Sequence, residues 1–386
     1  MGRKKILWLC SWYPGRAEPF NGDFVQRHAL AASLYHDIHV IHVYADPSGK
    51  INRREETTRK RPGLTETIIE FPKQSFGLAR LYSHLKLIRT YRLAIQEYIR
   101  KEGLPDLVHV HVPIWAGKAA LWMNKKYGSP FVLTEHWAIY NQEADHNYTS
   151  KSAGVKFYTH KLFREAKLFF SVCDYLAKGV NELVTPVEHV TIVNTVDTNM
   201  FRPLMENESG IQFIHISNME ERKNVKGIIR AFAEIAFHKQ DIRLLIIGPA
   251  NEEIFQFASS FPCKIQFTGE ISYAEVAEYL RASDALVLFS KVENSPCVIG
   301  EALCCGIPVI SSNVGGIPEL ADESNSLLVS PSDEQGLAKA MRIMIEKKDR
   351  YHKGQIAEAA AKRFSYAAIG KRISDQYESL IKEFSF

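Results

Sequence analysis

The stretch Ser290-Lys-Val-Glu293-Asn-Ser295-Pro296-Cys297-Val298-Ile-Gly300-Glu301 continues through Cys305-Gly306-Ile-Pro308-Val-Ile310 to Gly315-Gly316-Ile-Pro-Glu319, and its reading decides the fold. It follows an apolar run, 285–289, that reads as a buried strand. The loop after that strand holds Glu293. A helix then opens, with Ser295 as N-cap and Pro296 at the first helical position, where the missing N–H costs no hydrogen bond. Glu301 falls near the middle of this helix, and Gly306-Ile-Pro308 ends it before the next buried strand. A strand that feeds a helix N-terminus is an anion site in waiting, because backbone N–H groups and the positive dipole end converge there.

Working outward, the same alternation fills the chain. Apolar strands are expected at 4–10, 38–44, 67–71, 107–112, 131–134, 168–172 and 190–193, with helices at 24–35, 76–102, 114–127, 152–166 and 175–183 between them. A polar, turn-rich break at 194–210 follows. The pattern then restarts with strands at 211–217, 242–247, 264–267, 285–289, 308–311 and 326–329. Helices are expected at 225–238, 252–260, 273–281, 333–346, 355–361 and 366–384. Strands apolar throughout, alternating with helices, imply parallel sheets covered on both faces, with binding at the strands' carboxyl ends. The fold class is α/β, two doubly wound Rossmann-like domains facing a cleft. The domains span 1–200, with the C-terminal helix at about 366–386 packing back on the first, and 205–365.

Composition bounds the function. The 386 residues are too many for one compact core and suit two domains. No apolar run approaches the roughly 20 residues that span a bilayer, and the N-terminus enters a buried-type strand instead of a signal peptide. Six cysteines, Cys10, Cys173, Cys263, Cys297, Cys304 and Cys305, lack any framework spacing and read as reduced thiols of a cytosolic protein. The net charge of +4 conceals an asymmetry: residues 1–204 carry 28 Lys and Arg against 19 Asp and Glu, and the remainder 20 against 25. Most of these charges are solvated faces, yet a basic N-terminal half also suits an anionic partner such as a phosphorylated lipid or a membrane surface.

Several kinds of chemistry are missing. No G-x-G-x-x-G follows a strand, no G-x-x-x-x-G-K-[ST] appears, and there is no G-x-S-x-G elbow. His109 and His111 share one face of a strand and could take a metal, but no Cys or carboxylate nearby in sequence completes a ligand set, so both are read as lining the sheet's end. Glu293 and Glu301 could pass for a glycosidase pair. Eight residues along one continuous helix would separate their side chains by about 80°, but one lies in the loop and one in the helix, so both can turn toward the same N-terminus. Alone, Glu301 would be an ordinary solvent-facing helix residue.

Glu293-x7-Glu301, then Ala302-Leu-x-x-Gly306-Ile-Pro308-Val and Gly315-Gly316-x-x-Glu319, resemble the signature of family-4-type retaining glycosyltransferases of the GT-B fold (glycosyltransferase group 1). Asn194-Thr-Val196-Asp197-Thr-Asn-Met-Phe201-x-Pro203 resembles the family's interdomain segment. Glu221-Arg222-Lys223-Asn224-Val225-x-Gly227 resembles the element carrying its diphosphate-binding lysine. Thr134-Glu135-His136 resembles the strand end whose histidine approaches the donor sugar, and Gly248-Pro249, Gly269 and Ser290 fall at its other strand-end turns. The chain departs from the family pattern at Ser217-Asn218, where Gly-Arg is usual, at Val193 and Thr195 for its proline and glycine, and at Asn21-Gly22-Asp23 for a Gly-Gly pair.

The resemblance implies a retaining transfer of a sugar from a nucleotide-diphosphate donor, of UDP or GDP type, to a saccharide or lipid-linked acceptor, in polysaccharide or glycolipid biosynthesis. A metal stabilising the leaving diphosphate would need a carboxylate motif such as D-x-D, and none stands in a plausible place, so the transfer is expected to be metal-independent, with no cofactor, no metal and no nucleic acid. It places Glu293, His136 and Lys223 around the reacting sugar and diphosphate, with Glu301 on the ribose. Asn218, Arg222, Ser295, Pro296, Cys297, Val298, Gly248 and Gly22 complete the donor site, Arg222 standing in for the missing arginine. No catalytic base is assigned, since a donor phosphate oxygen is thought to take the acceptor's proton. A sugar-nucleotide epimerase of the same fold and a non-catalytic carbohydrate-binding relative are the competing readings.

The acceptor half is thinly specified. Helix 76–102 sets Lys86, Arg89, Arg92, Arg100 and Lys101 among Leu78, Leu81, Leu85, Ile88, Ile95 and Ile99, a basic amphipathic pattern that lies on anionic membranes or packs on a sheet. Trp12, Tyr13, Phe20 and Phe24 are candidates to dock a sugar or lipid. Peripheral attachment at the cytoplasmic membrane face is the expectation.

Overall fold

A computed structural model describes residues 2–73, 77–144, 147–204, 210–239 and 241–384, so Phe76 and the linker residues 205–209 lie outside it. The chain divides into two compact units, residues 1–195 with 366–386, and 196–365.

The first unit runs β1 (Lys5–Cys10), α1 (Asp23–Ala32), β2 (Asp37–Asp46), β3 (Glu55–Arg61), β4 (Leu64–Pro72), α2 (Gly77–Glu102), β5 (Leu107–His111), α3 (Pro113–Tyr127), β6 (Phe131–Glu135), α4 (Ala153–Glu165), β7 (Phe169–Ser171), α5 (Asp174–Leu183) and β8 (His189–Thr191). Its sheet has the order β3-β4-β2-β1-β5-β6-β7-β8. Every pairing is parallel except β3 with β4. The central strands are continuous apolar runs with both faces covered; all of Ile6 to Cys10 is buried. β3 is the element the sequence reading lacks. Its residues, Glu-Glu-Thr-Thr-Arg-Lys-Arg, are almost all exposed, and as a charged antiparallel edge strand it carries no apolar run to betray it.

The second unit runs β9 (Ile211–Ile216), α6 (Val225–Ala236), β10 (Ile242–Ile247), α7 (Glu252–Ser259), β11 (Ile265–Gly269), α8 (Tyr273–Arg281), β12 (Ala285–Leu288), α9 (Cys297–Cys304), β13 (Val309–Ser312), β14 (Ser326–Val329), α10 (Glu334–Glu346) and α11 (Lys353–Phe364). The sheet is wholly parallel, in the order β11-β10-β9-β12-β13-β14. Each unit is therefore doubly wound, with the strand order reversing between β1 and β5 in the first and between β9 and β12 in the second. The crevice at such a reversal is where open α/β sheets bind ligands.

α12 (Tyr366–Phe384) belongs to the first unit. Ile369, Ile373, Tyr377 and Ile381, four residues apart, are its buried stripe. Gly370 lets it approach α1, since a Cβ there would sit 2.2 Å from the Ala31 carbonyl oxygen. Ser374 Oγ pairs with His36 Nε2 at 2.9 Å, and the Tyr377 hydroxyl bonds His109 Nδ1. The two points where the chain passes between units are adjacent: Val196 N–H donates to the Phe364 carbonyl at 2.8 Å.

Gly370→Leu therefore lowers stability by about 1–3 kcal/mol, as overpacking does. Gly354→Ala, where a Cβ meets nothing within 4 Å, shifts it by less than about 1 kcal/mol. Urea midpoints of the two variants check the contrast.

Candidate functional site

In the second unit the reversal brings together the loop after β9 and the loop between β12 and α9. Lys223 closes a short 3-10 turn, Glu221–Lys223, just ahead of α6. Asn224 in the left-handed region then caps α6, its side chain accepting from Gly227 N–H at 3.3 Å. Lys223 Nζ donates to Glu293 Oε1 at 2.5 Å, and both side chains are nearly buried, 11% and 7% exposed. Ser290 Oγ donates to the same oxygen at 2.7 Å, and Ser312 Oγ holds the Ser290 carbonyl at 2.5 Å. Gly316 N–H reaches the Glu293 carbonyl at 3.3 Å, which ties the Gly315-Gly316 turn to the same loop. Backbone joins the two loops as well, Lys291 N–H donating to the Arg222 carbonyl at 2.7 Å.

The remaining cations and amides fall on one chain of contacts. Glu220 accepts from Asn218 Nδ2 at 2.7 Å and from Arg222 Nε at 2.6 Å, while Arg222 Nη1 lies 3.7 Å from Glu293 Oε2. Asn218 is exposed, Arg222 partly so. Gly248, at the end of β10, has φ 137°, and a Cβ there would overlap the Ser217 carbonyl oxygen at 1.9 Å. Only glycine lets that strand end pack on the 217–219 turn. Behind it, burial holds the imidazole of His215 at a pKa of about 4; its Nδ1 meets the Val287 carbonyl at 2.9 Å and its Nε2 the Ser217 hydroxyl at 2.8 Å.

α9 begins one residue later than its sequence suggests. Pro296, with ψ 120°, is the half-in N-cap residue, Cys297 is the first helical one, and Ser295 lies outside the helix. The reason is backbone: Pro296 takes an extended ψ, so the helical turn starts only after it. With no side-chain cap on Pro296, the N–H groups of Cys297 and Val298 point out of the helix toward whatever lies at its end. Glu301 is buried, not solvent-facing, and its Oε1 accepts the Tyr273 hydroxyl at 2.9 Å. The Tyr273 ring packs on Phe201, with centroids 4.7 Å apart. Neither Tyr273 nor Ser290 was singled out for these carboxylates. Their partners are 28 and 3 residues away, and only a residue spacing tied to a fold could have flagged them.

In the first unit, the ends of β1, β5 and β6 converge. Ser11 Oγ accepts the N–H groups of Trp115 (3.2 Å) and Ala116 (3.0 Å), so α3 has its N-terminus capped from another strand. The loop after β1 is pinned by buried carboxylates that sequence reading passed over. Glu66 accepts the Tyr13 hydroxyl at 2.8 Å, and Glu70 accepts Arg16 N–H at 3.1 Å and Ala17 N–H at 2.9 Å. Tyr13 is accordingly wholly buried and cannot dock a ligand, while Trp12 rests edge-on against Phe24 and Trp137. Phe20 is exposed. Gly22, φ 70°, caps α1; a Cβ would meet the Trp12 carbonyl carbon at 2.6 Å, so this glycine fixes the loop's return.

His136, following β6, packs against Phe24 (4.7 Å), His28 (5.7 Å) and His111 (5.9 Å). His109 and His111 stand 4.0 Å apart on Trp8, and His109 Nε2 meets Thr134 Oγ1 at 2.6 Å. Burial holds His109, His111 and His136 well below the usual imidazole range and His28 at about 4, so this cluster is neutral near pH 7. Among the described residues, neither ring nitrogen of His111 has a hydrogen-bond partner. Among the described residues no group of three or more His, Cys, Asp or Glu side chains could hold a metal. Glu135, buried beside them, has its pKa pushed up to about 7, although its Oε1 accepts the N–H groups of His136 and Trp137.

These shifts set an acid limit. A histidine whose folded pKa lies near 4 stabilises the fold above its unfolded value of about 6.5 and loses that contribution as pH falls toward 4. His28, His42 and His215 each lose about 2 kcal/mol between pH 7 and 5. Glu135, shifted upward, runs the other way and offsets about one of them. Urea midpoints should fall from pH 7 to 5, and fall further in Glu135→Gln; a flat profile would show these imidazoles to be solvated.

Comparison with known proteins accords with this geometry. A Glycosyltransferase Family 4 model matches residues 26–199 and a Glycosyl transferases group 1 model matches residues 196–363. The chain is 26% identical over 408 residues to the Bacillus subtilis (strain 168) glycosyltransferase TuaC, provisionally assigned to teichuronic acid biosynthesis, covering 98% of this chain and 99% of that one. It is 30% identical over 225 residues to N-acetyl-alpha-D-glucosaminyl L-malate synthase of Bacillus anthracis, over 54% of this chain and 58% of that one. Among solved structures, sucrose-phosphate synthase from Thermosynechococcus elongatus superposes with a TM-score of 0.76 at 17% identity, covering 98% and 100% of the two chains. Anabaena HepE in complex with UDP gives 0.70 at 19% identity, over 97% and 100%. With its two units spanned by these two models in tandem, the chain belongs to the family-4, group 1 glycosyltransferases of GT-B fold.

Proposed function

We propose that this glycosyltransferase transfers a sugar, with retention at the anomeric carbon, from a nucleotide-diphosphate sugar to a saccharide or lipid-linked acceptor in polysaccharide or glycolipid biosynthesis. The observation that carries the donor half is the nearly buried Lys223 ammonium held on Glu293 of the β12–α9 loop. The leaving group is a nucleoside diphosphate, so catalysis demands positive charge where its β-phosphate gains negative charge. Lys223 has three N–H donors and shows one to Glu293, which leaves donors for phosphate. The backbone N–H groups at the start of α9 add dipoles of fixed direction. With that charge supplied by the protein, the transfer is metal-independent, and activity persists in excess EDTA.

Glu301 holds the ribose hydroxyls, with Tyr273 fixing its carboxylate, and Glu293 holds hydroxyls of the donor sugar while orienting Lys223. His136, neutral by burial, can give or take one hydrogen bond to a sugar hydroxyl without adding charge. Gly248 and Gly22 act through backbone shape. Asn218 and Arg222, joined through Glu220, form the outer edge of the phosphate site. HepE has been solved with UDP, which makes a nucleoside diphosphate the first ligand to test here. The acceptor reading draws on the relatives' names and on the basic first unit, and with a lipid-linked acceptor it places the protein at the cytoplasmic membrane face. Among the described residues no helix is long and apolar enough to cross a membrane.

Glu301→Gln should weaken nucleotide-sugar binding by about tenfold to a hundredfold, the worth of hydrogen bonds to a charged group, and calorimetry against UDP-, GDP- and ADP-sugars measures it. Lys223→Met should lower kcat by about 10²-fold or more, as removal of an oxyanion-stabilising donor does. Unchanged affinity in the first variant would displace Glu301 from the site. Conversion of the donor without an acceptor would instead indicate an epimerase.

A further inference from the structure

We infer that Glu135 is a positioning residue for the transfer: its carboxylate, buried beneath the turn that follows β6, fixes the peptides that carry His136 and Trp137. Glu135 closes β6 and, by the alternation of a strand, lies on the same face as Phe131 and Leu133, both of them core residues. It is itself 0% exposed. A single oxygen, Oε1, accepts the N–H of His136 at 2.8 Å and that of Trp137 at 2.9 Å. The imidazole packs on Phe24, His28 and His111, while the indole lies 5.7 Å from the Trp12 ring and 5.1 Å from the Lys151 ammonium. One carboxylate oxygen therefore sets the backbone beneath both rings.

Two N–H groups can be satisfied by a neutral oxygen, so the turn does not require a charge beneath it. Burying a carboxylate is costly, and burial pushes this one up to a pKa of about 7 against the downward pull of the two N–H groups and the Tyr140 phenol. Tyr140 ends the 3-10 turn Ala138–Tyr140, and α5 clamps it there: a Cβ on Gly179 would lie 2.4 Å from the Tyr140 carbonyl oxygen. Each of Glu135 and Tyr140 moves the other's pKa, so the two are neighbours. Among the described residues neither Glu135 Oε2 nor the Tyr140 hydroxyl has a hydrogen-bond partner. A small rotation lets the phenol donate to the ionised carboxylate or accept from the protonated one. An ionised acceptor holds an N–H more tightly than a neutral one. The carboxylate thus grips both peptides, and its protonation loosens them.

The buried imidazoles and phenols around Glu135 keep their charge between pH 6 and 8. His28 is held at about 4, His109, His111 and His136 lie well below the imidazole range, and burial raises Tyr140 and Tyr148. At the start of α5 the Cys173 thiol accepts the Leu176 N–H, and Asp174, Tyr175 and Glu182 pair with His189, Glu143 and Lys178 toward the surface. On α4, Lys161 pairs with Glu165 at 3.6 Å. Protonation then acts in two directions. The folded pKa of Glu135 lies above the unfolded value of about 4.3, so the stability it contributes is present at low pH and lost as pH rises through about 7. The grip on His136 and Trp137 is present above that pH and lost below it. Glu135 costs the fold most in the range where it orients the two rings, which is how a functional group differs from a structural cap.

The inference rests on the proposed contact of His136 with the donor sugar, and the experiment separates the two. Glu135→Gln keeps an oxygen for the two N–H groups but cannot ionise. In amide NMR spectra of the full-length protein, the His136 and Trp137 N–H resonances should move together between pH 6 and 8, with a midpoint of about 7 in wild type, and stay fixed in Glu135→Gln. At pH 8 the variant should unfold at a urea concentration no lower than wild type. With whichever of the UDP-, GDP- and ADP-sugars binds calorimetrically, its kcat should fall by about tenfold or more, as loss of orientation causes, and the rise in kcat from pH 6 to 8 should vanish. A lower urea midpoint at pH 8 with wild-type kcat and pH profile would make Glu135 a structural cap and overturn the inference. So would amide resonances that titrate equally in the variant. His136→Ala tests the underlying reading. An unchanged kcat there removes His136 from the transfer, whereas a loss in His136→Ala beside an unaffected Glu135→Gln leaves that reading standing and refutes only the role of Glu135.

Discussion

The second unit is organised around a buried ion pair. Lys223 and Glu293 are 70 residues apart, at the ends of the two strands where the sheet order reverses, and their charged atoms meet at 2.5 Å. Two charges removed from water lose several kcal/mol each in hydration, and mutual attraction seldom more than restores it. Such a pair is weak as a stabilising device. It is well suited to keeping an ammonium desolvated, in fixed position and electrically balanced until a ligand with more negative charge arrives. Ser290, Ser312 and Gly316 make sense in that light, since each restrains Glu293 or its loop and so restrains the lysine.

Glycines with positive φ and partnered carboxylates do the same work elsewhere. Gly248 lets a strand end approach the 217–219 turn, and Gly22 lets the first loop fold back on Trp12 and Tyr13. Glu66 and Glu70 hold that loop through a phenol and two backbone N–H groups. A loop with short polar connections to a sheet keeps its shape when a ligand binds, and hydrogen bonds aimed in advance cost less reorganisation at the moment of reaction. In the first unit the neutral histidines bring polarity without charge, at the expense of resistance to acid.

Much of this was legible in the chain because buried parallel strands are apolar throughout and the helices between them are amphipathic. The strands at 242–247 and 326–329 and the helices at 273–281 and 366–384 fall where the pattern puts them. β3 escaped because a charged edge strand has no apolar face. The start of α9 slipped by one residue because a proline fits both the N-cap and the first turn, and only its ψ distinguishes them. The carboxylates Glu293 and Glu301 stood out through their spacing. Tyr273 and Glu66 did not, since a hydrogen bond between distant residues leaves no local mark. Tyr13 looked like a surface aromatic for the same reason, its buried partner being 53 residues away.

In the proposed donor complex the diphosphate sits on Lys223 and the first turn of α9. A structure of the protein with a bound nucleoside diphosphate tests it most directly. The account predicts the terminal phosphate within hydrogen-bond reach of Lys223 Nζ and of the N–H groups of Cys297 and Val298, with Glu301 on the ribose. A diphosphate bound away from Lys223, with the Lys223–Glu293 pair closed and undisturbed, would contradict it.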